Sequence, residues 1–265
     1  MQEDEAEGAD SFTMAVALYG VLREYPWIGQ VTADHDLDED LFSLAVKRAA
    51  AYGFSSTRLS AGAELGGQRW GHADAGGDWS QDGQVRELAS LTVYPATGLR
   101  AQHLPVLPMT RVLADALNRV GEVDFRGLST AVPMHLAPDT QFDLVGEAAW
   151  YALAAPDSRT RATVTVTVTE AAAAKEVCEL TRERGHDLLR VEPASQNERL
   201  PVLRGIGHDL ESPRLSAFTC DVPEWTPEAA AWLAEVFIDS LRCVGAGPIA
   251  GIEIALPGTT LANGG

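Results

Sequence analysis

Cations are scarce in this chain: Lys and Arg number 20 against 38 Asp and Glu, a formal net charge of −18 over 265 residues. Phosphate backbones are bound by clustered cations, so duplex and single-stranded nucleic acids are excluded as partners and anionic membranes are disfavoured. Long apolar runs are lacking too. No run approaches the roughly 20 residues of a membrane-spanning helix, and the N-terminal stretch has neither the basic start nor the apolar core of a signal peptide. These absences predict a cytoplasmic protein. Cysteine is sparse, with Cys178, Cys220 and Cys243 widely spaced and odd in number, so neither a disulfide framework nor a zinc knuckle is indicated. All three read as small apolar core residues. A Gly-x-Ser-x-Gly elbow and a Gly-Lys-Ser/Thr loop are also missing. The glycines from Gly245 to Gly251 leave a helix and enter a strand, the reverse of a dinucleotide-binding turn.

What is present is a stretch that occurs twice. Leu117-Asn118-Arg119-Val120-Gly121 runs to Phe125-Arg126-Gly127-Leu128, and Leu241-Arg242-Cys243-Val244-Gly245 runs to Ile249-Ala250-Gly251-Ile252 with identical spacing. Each copy reads as a helix end, a glycine where the chain turns with positive φ, and a strand holding a second glycine.

The first half begins with a strand over Ser11 to Gly20, where Phe12, Met14, Val16 and Leu18 alternate with small residues. A helix follows over Leu41 to Tyr52. The carboxylates from Asp34 to Asp40 cap it; they fail as a calcium loop because Glu39 stands where a turning glycine is needed. A strand over Ser56 to Ala61, a glycine-rich loop over Gly62 to Gly83, a strand over Leu88 to Tyr94, a helix over Met109 to Val120 and a strand over Val123 to Met134 complete it. The second half has a strand over Thr163 to Thr169, a helix over Ala171 to Arg184, a strand over His186 to Val191 and a long loop to Ser212. A strand over Leu215 to Cys220, a helix opened by Thr226-Pro227-Glu228 and a strand over Ile249 to Ala255 follow. In the passage over Ala137 to Ser158, Trp150 and Tyr151 are expected to be buried.

Both halves thus run β-α-β-β-α-β, with Gly53 matching Gly185, Leu88 matching Leu215, Leu91 matching Phe218, Thr92 matching Thr219, Gly121 matching Gly245 and Gly127 matching Gly251. The expected fold is α+β, a tandem duplication that resembles the ferredoxin-like fold, with the pseudo-dimeric α/β barrel as its closed variant. The predicted organisation is a disordered acidic tail (1–10), repeat one (11–136), a connector (137–160), repeat two (161–256) and a flexible tail (257–265). Each such repeat leaves one sheet face bare. Solvent, a partner, a second copy of the chain, or the other repeat can cover it.

Candidate chemistry centres on Gly71-His72-Ala73-Asp74, with Gly207-His208-Asp209 in the corresponding loop of the second half. A histidine beside a carboxylate makes a base with its orienting partner, so His72, Asp74, His208 and Asp209 are the catalytic candidates; ordinary turn chemistry is the competing account. Trp70 and Trp79 are the ligand-binding candidates, set against a role in anchoring the loop to the core. His103 and His135 stand beside apolar segments as haem or metal ligands or as rim residues, and no cofactor follows from the sequence. The threonines of Thr163 to Thr169 read first as a solvated surface, although they also permit a cavity.

Two functions follow as expectations. In one, the protein binds or transforms a small apolar molecule in a cavity between the repeats, with the His and Asp residues at its rim. In the other, it is a non-catalytic acidic protein of the immunity, inhibitor or assembly-factor kind that neutralises a basic partner.

Overall fold

Alternation decides how the strands sit. In Thr160–Val168 the valines join the main apolar core, and Thr163, Thr165 and Thr167 point the other way. In Met14–Glu24, likewise, Met14, Val16, Leu18 and Leu22 belong to that core while Ala15, Ala17 and Tyr19 do not.

A computed structural model describes residues 13–35, 40–54, 70–95, 106–134, 149–151, 153, 159–170, 172–186, 188–194 and 214–259. The elements are β1 (Met14–Glu24), α1 (Pro26–His35), α2 (Leu41–Ala51), β2 (Trp70–Gly76), β3 (Arg86–Pro95), α3 (Val106–Val120) and β4 (Gly121–Pro133). They continue with β5 (Thr160–Val168), α4 (Ala174–Arg184), β6 (Arg190–Pro193), β7 (Arg214–Val222), α5 (Pro227–Cys243) and β8 (Ile249–Ala255). The strands form one open, eight-stranded antiparallel sheet in the order β2-β3-β1-β4-β8-β5-β7-β6. The protein is therefore mixed α+β. Helices α2, α3, α5 and α4 pack in that order against each other and on the core face of the sheet. No helix among the described residues is long and apolar enough to cross a membrane.

The two halves meet at the β4–β8 ladder, where Gly127 pairs with Ala255, Ser129 with Glu253 and Ala131 with Gly251. Shifting Gly127, Ser129 and Ala131 by the offset of the repeated stretch gives Gly251, Glu253 and Ala255, so the ladder maps onto itself. Its centre is the Ser129–Glu253 pair. The neighbouring ladders keep the same relation: Thr92 pairs with Ala15 and Thr219 with Thr163.

Several elements depart from the sequence reading. The second strand is Trp70–Gly76, inside the stretch expected to be loop, because Trp70 and Ala75 are drawn to the core. The strand expected over Ser56 to Ala61 lies outside the described residues, as do residues 1–10. Helix α1 was not expected. The closed barrel is not the described arrangement: β2 and β6 end an open sheet. The two halves of the sheet therefore lie side by side rather than stacked, and no chamber lies between opposed sheets among the described residues.

Caps follow the sequence closely. Ser43 donates its backbone N–H to Asp40 Oδ1 at 2.8 Å, and Ala229 donates to Thr226 Oγ1 at 3.1 Å. Cys178 and Cys220 are buried as expected, whereas Cys243 is exposed at the end of α5 and accepts a hydrogen bond from Arg184 Nη2. Trp150 is also exposed, at 67%; Tyr151 beside it is buried with its ring 5.1 Å from that of Trp232.

Candidate functional site

The sheet face away from the helices is polar and, at its centre, buried. Three strands supply the central row: Ser129 of β4 is 1% exposed, Glu253 of β8 is 6% and Thr165 of β5 is 1%, each directly paired with the next. Thr163 and Thr167 flank Thr165 and are buried too. A solvated threonine surface, the first reading of the sequence, is thus corrected.

Beyond the row, β1 places Tyr19 between Glu87 of β3 and Gly127 of β4. Tyr19 Oη donates to Glu87 Oε2 at 3.0 Å. Burial, and then the nearby carboxylates of Glu87 and Glu253, push the phenol pKa far above its ordinary value, so Tyr19 stays a proton donor at any physiological pH. The floor between these groups is small: Ala17, Gly127, Ala131, Gly251 and Ala255.

Burying hydroxyls and carboxylates is costly unless they find partners. Thr165 Oγ1 is a buried oxygen without a hydrogen-bond partner, beside Glu253. A hydroxyl left this way has unused hydrogen-bonding capacity.

A cleft of about 580 Å³ is lined by the end of β1, the start of β4, the β2–β3 loop and the segment after β8. Arg23, Gln81, Asp124, Arg126 and Thr259 supply its polar groups. The β2–β3 loop is held in shape by Arg86, which pairs with Asp78 at 2.6 Å and with Asp82, keeping the Asp82 pKa at about 2.

The expected site residues fall elsewhere. A bulge in β2 sets His72 opposite Val93 and Asp74 opposite Thr92, and these adjacent register positions face opposite sides of the sheet. His72 meets Phe42 of α2 edge-on, ring centroids 6.2 Å apart, and half-burial lowers its pKa. Asp74 lies on the polar face near its edge and accepts a hydrogen bond from the Ala75 N–H at 2.9 Å. The two therefore form no base-and-orienter pair. Trp70 is 1% exposed with its ring 5.0 Å from that of Phe54, and Trp79 donates to the Leu88 carbonyl at 2.8 Å, so both anchor the β2–β3 hairpin. His208, Asp209, His103 and His135 lie outside the described residues.

Tyr19, Glu87, Ser129 and Glu253 were not singled out from the sequence, and Thr165 entered only as one of the threonines of Thr163 to Thr169. The signal that could have found Glu253 is Ile252-Glu253-Ile254, a lone acid inside an apolar strand. No group of three or more His, Cys, Asp or Glu among the described residues could hold a metal ion. Comparison with known proteins adds no relative: no protein family, no curated protein and no solved structure matches this chain.

Proposed function

We propose that the chain is a tandem pair of ferredoxin-like units joined edge to edge, and that their shared polar face binds a small molecule. Strand order supports the first part, since β2-β3-β1-β4 and β8-β5-β7-β6 present the same four-strand arrangement in opposite senses. The second part is carried by one observation: the buried hydroxyl of Thr165 has no partner although it sits in a row with Glu253 and Ser129. Carboxylates and hydroxyls here favour a ligand rich in hydrogen-bond donors, an amine or a polyol, over a hydrocarbon. Burial of the row disfavours a folded basic protein as its partner, because such a surface cannot reach side chains that are almost wholly covered.

The test compares the protein with its Thr165→Val variant in a thermal-shift screen of primary amines, polyamines and polyols. Removing an unpartnered buried hydroxyl should leave the unliganded variant at least as stable, by up to about 1 kcal/mol. Any compound that raises the Tm of the parent should lose most of that effect in Thr165→Val. A stabilising compound that works equally well on both proteins would place its site elsewhere.

A further inference from the structure

We draw no further inference here: the strongest candidate, the cluster of Ser129, Glu253 and Thr165 side chains on the polar face of the sheet, belongs to the site already described, and nothing among the described residues shows what covers it.

Discussion

At the residue scale, the matched glycines of the repeated stretch turn out to serve different needs. Gly245 has φ of 68°, the turn expected of both copies, whereas Gly121 is not among the positive-φ residues. Gly121 is required for another reason: a Cβ there would lie 2.4 Å from the Arg23 carbonyl oxygen of the paired strand. Gly251 has only ordinary contact, with Thr167 Cβ at 3.5 Å. Gly121→Ala should therefore cost about 2–3 kcal/mol in urea unfolding, as overpacking against a backbone does. Gly251→Ala should cost less than about 1 kcal/mol, and equal losses at both sites would contradict this account. His72 supplies a pH signature. Burial lowers its native pKa, so between that value and the unfolded value of about 6.5 the unfolded chain holds the extra proton. Stability from this group is full above about pH 6.5 and falls as the pH drops into that window. His72→Phe should flatten this part of the Tm–pH curve; an unchanged slope would show that His72 does not contribute. Sequence could place glycines at special positions but not say which constraint each answers, because strand pairing is set by residues about a hundred positions away.

At the element scale, α5 is the member on which most packing converges. Every residue from Ala229 to Leu241 is buried, so it has no solvated stripe and its polar side chains must be satisfied by protein. Glu235 accepts from the Leu107 backbone N–H at 2.9 Å, satisfying an otherwise orphaned amide in the first turn of α3. Asp239, nearly inaccessible, pairs with Arg184 of α4 and with Arg242 at 2.6 Å. One acid of α5 thus fastens each neighbouring helix. Glu235→Ala should lose about 2 kcal/mol, in the range for a charged hydrogen bond left unmade, and Glu235→Gln should lose clearly less, since it keeps an acceptor oxygen. Equal losses for the two variants in denaturant unfolding would assign the effect to packing alone. The start of α5 was legible from Thr226-Pro227-Glu228, and its apolar body from composition. The two buried acids were not, because a charge within a helical sequence looks the same whether it faces water or an arginine.

For the whole molecule, the arrangement rests on β4 and β8 pairing around Ser129 and Glu253. The mixture of strands and helices could be read from alternation and glycine spacing, and most strand positions followed, although α1 did not. How the halves join could not, since edge-to-edge pairing and face-to-face stacking bury the same alternating residues at the core. That difference moves the candidate site. Stacked sheets would have enclosed an apolar chamber with His72 at its mouth, whereas one continuous sheet puts Thr165, Glu253 and Ser129 in a single buried row with Asp74 at its edge and His72 behind it. The most direct measurement is a crystal structure of the protein purified from its native cells. The account predicts density for a small non-protein molecule within hydrogen-bond distance of Thr165 Oγ1. A polypeptide side chain bonded to that oxygen, with no added density over the row, would contradict it.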